Sequence, residues 1–318
     1  MFIQSFKNFQ PTNFKKPHNI TRPNLVNFNG LNNFDKNKID NDSFELSNNT
    51  EYFDYKQEDY DEIKNSIKKE NFIGAGLEGK VFQMKDQNFV VKIPRKFFND
   101  KKIDDNMLKL CLTEEDLTEQ DKVNHVTKKF KNGITIMHKI AGKPIDTEEE
   151  MNEVANLPVS SYNKLLNQII DAENKGMVFD YVMNNVLYDR DSQTLTAIDF
   201  RKKEGNDSKL KILEKMYIVF NCFKQPHEEK VAGKIISAGL ENLKSDKDTK
   251  ISIFDYDFDK ILKYLQYDHP ENSTKYFDIK NNIDNVMINK IHTETDYQKS
   301  VLDDSIERTQ NVITEHLG

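Results

Sequence analysis

The chain has 318 residues, 31% of them charged, with a formal net charge of -7 and a mean hydropathy of -0.77. That length allows one large or two modest domains with a sizeable core, and the acidic balance argues against a general nucleic-acid binder. Neither the apolar core of a secretory signal nor a run of membrane-spanning length occurs, and Cys111 and Cys222, far apart and without metal-ligand spacing, argue against a zinc or disulfide scaffold and fit a reducing compartment.

Basic side chains are almost all lysine, with arginine at positions 22, 95, 190, 201 and 308 alone. Together with abundant Asn and Phe this points to a low-GC codon bias, so lysine runs are discounted as signals. Residues 1-50 carry Phe2, Phe6, Phe9, Phe14, Phe28, Phe34 and Phe44 at no helical or strand period and read as a disordered leader. Residues 51-70 are acidic, with Ile63 and Ile67 four apart, and read as a short helix in a solvated lead-in. Gly74-Ala-Gly76-Leu-Glu-Gly79-Lys-Val81 follows, flanked by the apolar pairs Phe72-Ile73 and Val81-Phe82. This is a loop between two strands, not the strand-to-helix turn of a dinucleotide site, and its glycines let backbone N–H groups approach phosphates closely. Phe89-Val-Val-Lys92-Ile93 is an apolar strand with one ammonium, which requires an anionic partner when half-buried.

The segment LTEEDLTEQDKVNHV predicts a helix carrying Glu114, Glu115 and Glu119. Of these, Glu119 has Val123 and Val126 four and seven positions on, so its face is the one the helix would bury. A strand-like run from Ile134 through Met137, His138 and Ile140 breaks at Gly142-Lys-Pro144, and a helix runs to Asn174, ended by Lys175-Gly176. Next come two short strands, Val186-Leu-Tyr188 and Leu195-Thr-Ala-Ile198, joined by the turn Asp189–Ser192. A hairpin of this size brings Asp180, Asn185 and Asp199 to one rim, a hard-oxygen set suited to magnesium. About nine polar residues then separate Arg201 from the helical stripe Leu213, Met216, Tyr217 and Phe220. Amphipathic stretches at 229-243, 254-265, 279-291 and 299-317 read as core or capping helices, and no internal repeat is present.

Asp180-Tyr-Val-Met-Asn-Asn185 followed by Asp199-Phe200-Arg201 resembles the D-x-x-x-x-N catalytic loop and D-F-G element of the protein-kinase superfamily. The glycine loop and Lys92, thirteen residues beyond Gly79, fall where that family binds nucleotide phosphates. The resemblance covers about 72-265 and implies an α+β, two-lobed fold. A small β-rich N-lobe would span 71-140 and a mostly helical, reduced C-lobe 141-268, with a helical extension at 269-318. It also implies roles. Gly74, Gly76, Gly79, Val81 and Lys92 would hold ATP, and Glu119 would pair with Lys92. Met137 would guard the adenine pocket, and the backbones of His138 and Ile140 would meet the base. Asn185 and Asp199 would bind Mg2+, and Asp180 would accept the proton of the attacking hydroxyl.

Val178, Phe179, Val182 and Arg201 depart from the family pattern, and the activation segment with its Ala-Pro-Glu anchor is missing. With the polar leader as a candidate secretion signal, the chain looks most like the small serine/threonine kinases that bacteria inject through type III secretion. That would place it in the bacterial cytoplasm, then in the host-cell cytoplasm acting on a host signalling protein. Two alternatives stay open: a small-molecule kinase of the aminoglycoside type, and a pseudokinase scaffold.

Overall fold

Six short strands build one antiparallel sheet: β1 (Phe72–Ala75), β2 (Gly79–Gln83), β3 (Phe89–Pro94), β6 (Glu114–Glu115), β7 (Val126–Phe130) and β8 (Thr135–His138), in the order β1-β2-β3-β8-β7-β6. A side hairpin, β4 (Phe98–Asn99) and β5 (Lys102–Ile103), follows β3. The computed structural model describes residues 55–318, apart from residues 77, 100–101, 104, 205–211 and 246–256. The leader at 1-50 lies outside the described residues, which all belong to one unit, Tyr52–Gly318.

The period of two along β3 divides its side chains between two environments. Val91 and Ile93 are fully buried with Phe82, Phe97, Leu108, Phe130 and Ile134 in the core of the sheet lobe. Val90 and Lys92 point the other way. Cross-strand pairing sets Lys92 between Val81 and Thr135, and Val90 opposite Met137, so one face carries an apolar strip ending in an ammonium.

Two expectations for this lobe need correction. The lead-in is not merely solvated: α1 (Gln57–Ser66) buries Ile63 completely in the sheet lobe core, and Asp59, 5% exposed, accepts from Lys128 Nζ at 2.7 Å. The helix expected over LTEEDLTEQDKVNHV is also broken. Its first part forms edge strand β6, and Thr118 starts a new helix, α3 (Glu119–Val123), through a reciprocal capping box with Asp121. Asn124 ends α3, and His125 turns left-handed at φ 60°. The described helix after β5 is instead α2 (Asp105–Cys111).

The rest of the chain is mostly helical. A linker leads to β9 (Lys143–Pro144), and at Gly142, with φ 98°, a Cβ would lie 2.7 Å from the Tyr188 carbonyl, so glycine is required by backbone and space alike. Then come α4 (Glu148–Ala155), α5 (Val159–Asn174), the short strands β10 (Met177–Phe179), β11 (Val186–Asp189), β12 (Thr194–Ala197) and β13 (Phe200–Lys202), and α6 (Ile212–Phe220). The remaining described helices are α7 (His227–Ser245), α8 (Asp257–Asp268), α9 (Ser273–Ile291) and α10 (Asp296–Leu317). The 269-318 stretch is part of the same core: Tyr276, Ile283, Leu302, Ile313 and Leu317 join Leu166, Phe179 and Phe220. The fold is thus α+β, a small antiparallel-sheet lobe with a mostly helical remainder. Among the described residues no helix is long and apolar enough to cross a membrane.

Candidate active site

The pairing of four short strands assembles the rim expected from the sequence. β10 and β13 are antiparallel with Phe179 opposite Phe200, so Asp180, which follows one strand, and Asp199, which precedes the other, leave the ladder side by side. β11 and β12 pair Val186 with Ala197, which sets Asn185 beside Ile198, and the Ile198 N–H donates to the Asn185 carbonyl at 2.8 Å. Asn185 also donates from Nδ2 to the Asp180 carbonyl at 3.2 Å. Both carboxylate residues are exposed.

Asp199 adopts φ 67°, a left-handed backbone that costs a non-glycine residue roughly 1–3 kcal/mol and persists only where its surroundings impose it. Three side-chain amides brace the backbone on either side of it. Gln168 of α5 donates to the Ala197 carbonyl at 2.8 Å and accepts from the Ala197 N–H at 2.9 Å. Asn124, just beyond α3, donates to the Phe200 carbonyl at 2.6 Å and accepts from its N–H at 2.8 Å, with Gln120 adding a bond to the same carbonyl at 3.2 Å. At about 1 kcal/mol per bond these clamps are large enough to hold the strained residue. Neither Gln168, Asn124 nor Gln120 was singled out from the sequence.

Phe179 and Phe200 are both buried, with ring centroids 5.6 Å apart, and Phe179 also meets the Tyr181 ring edge-on at 4.8 Å. Val178 is buried as well. The two residues before Asp180 are therefore core residues, whereas Val182 stands 49% exposed on the loop. Arg201 is exposed on β13.

In the glycine loop, Gly79 has a steric reason to be glycine: a Cβ there would lie 2.5 Å from the Ile93 carbonyl oxygen across the β2–β3 pair. Gly74 and Gly76 meet no such neighbour. The loop closes through Gly76 N–H to the Gly79 carbonyl at 2.9 Å, and Arg95 Nε donates to the Gly76 carbonyl at 2.9 Å. At the loop, half-exposed Phe72 meets Phe82 edge-on at 5.7 Å.

Lys92 finds its anion in this loop. Nζ lies 2.7 Å from Glu78 Oε2, and the bond to Lys92 holds the Glu78 carboxyl below the usual carboxylate range. The expected partner, Glu119, is exposed at the start of α3 and pairs with Lys122 at 2.6 Å, so the structure does not bring Glu119 and Lys92 together. Val123 ends α3 whereas Val126 begins β7, so no single helix face runs from Glu119 through both. Val81, opposite Lys92, and Met137, opposite Val90, lie on the strip ending at Lys92. His138 stacks on Phe89 at 4.8 Å and gives its N–H to the His125 carbonyl at 3.0 Å, so a base would meet the His138 backbone through its carbonyl oxygen. Ile140 lies in the linker, just after Lys139, whose N–H donates to the Asn88 carbonyl at 2.7 Å.

Two surface cavities of about 390 and 300 Å³ open around Tyr188 and Arg190 and share no residue with this rim. Among the described residues no three His, Cys, Asp or Glu side chains gather as a metal cluster, in keeping with a rim of two carboxylates and one amide. A scan against protein-family models gives no match, and neither does a search of the curated proteins.

Proposed function

We propose that this chain is an ATP- and magnesium-dependent phosphotransferase of the protein-kinase type, transferring phosphate to a serine or threonine of a host-cell protein after delivery by a bacterial secretion system. The observation that carries the chemistry is the rim at Phe179 and Phe200, where the strand register brings Asp180 and Asp199 together beside Asn185. The strain stored at Asp199 and the clamps that impose it support a functional reading, since such outliers cluster at active sites.

The donor set fits magnesium, which prefers one or two carboxylates plus phosphate oxygens. Asn185 turns its Nδ2 to Asp180, which leaves Oδ1 as the oxygen to meet a cation beside the Asp199 carboxylate. Bound magnesium would neutralise charge on the transferred phosphoryl group. Lys92 and the N–H groups of the loop from Gly74 to Gly79 would hold ATP, with Val81, Val90 and Met137 against its base and the His138 carbonyl and Ile140 beside it. Asp180, exposed on its loop, orients the attacking hydroxyl and takes its proton.

The test is incubation of pure protein with labelled ATP, magnesium, a generic protein substrate, and a panel of sugars and aminoglycosides. Label on protein is expected; label on a small molecule alone would replace the protein-kinase reading, and no transfer would leave a scaffold. Asp199→Asn is expected to weaken magnesium-dependent nucleotide binding as well as turnover. Asp180→Asn should keep binding and slow transfer, the pattern of an interaction made mainly in the transition state. Equal nucleotide affinity in both variants and the parent would overturn the metal assignment.

A further inference from the structure

Tyr181 follows Asp180 directly, and its side chain is drawn beneath the loop. Its hydroxyl donates to Glu173 Oε1 at 3.3 Å, and the same oxygen accepts from Lys215 Nζ at 2.8 Å. The ammonium also lies 5.0 Å from the centre of the Tyr181 ring. Glu173 comes from the last turn of α5 and Lys215 from α6, and their side chains are 16% and 7% exposed. Burial first, then the Glu173 carboxylate, raises the Tyr181 phenol far above the ordinary range, so it stays a neutral donor.

A buried ion pair is a weak source of stability, because desolvation offsets most of the attraction and an apolar pair of similar volume does as well or better. What the pair supplies is direction. Around Asp180 the loop's backbone bonds are short-range, Val182 N–H to the Asp180 carbonyl at 2.8 Å and Asn185 N–H to the Val182 carbonyl at 3.0 Å, while its far end is tied by the Ile198 N–H to the Asn185 carbonyl at 2.8 Å. Tyr181 and Met183 pack from the loop against the core of the helical part, and Tyr181 is the one bonded to Asp180. Two helices thus fix the residue that fixes Asp180.

We propose that Lys215, Glu173 and Tyr181 form a positioning device for the loop that bears Asp180. This rests on the reading of Asp180 as the group that takes the hydroxyl proton. A misplacement of about 1 Å at a reacting group can cost roughly a hundredfold in rate, so freeing Tyr181 lowers kcat while leaving nucleotide binding alone.

The experiment uses the full chain carrying both Glu173→Leu and Lys215→Met, which removes the two charges together and strands neither. The expected result is an unchanged or higher melting temperature, faster amide hydrogen exchange at Val182 and Asn185, kcat lowered about tenfold or more, and an unchanged KM for ATP. Exchange at those two amides equal to the parent's would overturn the proposal whatever the activity, as would faster exchange with kcat unchanged. Tyr181→Phe, which keeps the ring and deletes the hydroxyl, decides by the same readouts if the double variant does not fold. A parent that transfers no phosphate defeats the proposed function, and the exchange arm then reads the hold on the loop by itself.

Discussion

Asn124 holds both backbone polar groups of Phe200, 76 positions away, accepting its N–H at 2.8 Å and donating to its carbonyl at 2.6 Å. Because Asn124 also ends α3, which packs against β7 of the sheet, the strained carboxylate at Asp199 is tied to the sheet lobe as well as to its own hairpin. Replacing the amide with an isosteric apolar group leaves the part-buried Phe200 N–H unmatched, at roughly 1–3 kcal/mol, while Gln120 still donates to the Phe200 carbonyl. Asn124→Leu is therefore expected to lower the melting temperature by several degrees and to reduce turnover further than stability alone explains. A thermal melt and a rate measured well below the transition check this, and an unchanged melting temperature would show that the clamp carries no energy.

The Lys92–Glu78 pair predicts opposite effects from its two members. Glu78 occupies the ammonium that a phosphate would need, and an exposed pair of this kind is worth about 0.2–1 kcal/mol. Glu78→Gln should thus tighten ATP binding by up to about fivefold, while Lys92→Met should abolish it. Glu119→Ala, changing an exposed side chain bonded to Lys122, is expected to leave both affinity and turnover as they were. Titration with a fluorescent ATP analogue distinguishes the three.

Glu150, in the first turn of α4, pairs with Lys143 of β9. The ammonium of Lys143, followed by the N–H groups of Asp146 and Thr147, holds its carboxyl down from an ordinary 4.5 to about 2. A depressed carboxyl contributes stability that is complete above its unfolded value and is lost as pH falls through the folded one. The contribution of Glu150 therefore disappears between pH 4.5 and about 2. Glu150→Gln, which can still cap α4, should lower stability near neutral pH and flatten its pH dependence in that window. Urea melts at pH 6 and pH 3 measure it, and parallel losses in parent and variant would refute it.

Truncation separates the leader from the lobe. The leader has no period with which to pack, so a chain beginning near Glu51 is expected to melt as the parent does. One beginning at Lys69 loses α1 and with it Ile63, whose removal from the core alone costs about 2–5 kcal/mol. That shorter chain should melt well below the parent or fail to stay in solution.

The hairpin and sheet were legible because short apolar runs such as Phe89–Ile93 and Leu195–Ile198, bounded by turn residues, mark strands locally. The rim was legible for a related reason: Asp180, Asn185 and Asp199 stand at strand ends, where register alone decides their neighbours. The clamps were not, since a side-chain amide bonded to a backbone 29 or 76 residues away leaves no periodic trace. Glu119 misled because the segment is broken: Glu114–Glu115 pair as a strand, Thr118 caps a new short helix, and the chain turns at Asn124 and left-handed His125 before Val126 enters β7.

The edge-on contact of Phe72 with Phe82 gives this molecule an optical handle. The chain contains no tryptophan among its 12 tyrosines, so Phe72→Trp would install a single indole, half in water, where the glycine loop begins. Its emission can be excited at the red edge without the phenols, and stopped-flow mixing with ATP would then test the proposed nucleotide site, binding there being read as a change in wavelength or quenching. A label of this kind reads the loop in real time and requires no knowledge of the phosphate acceptor.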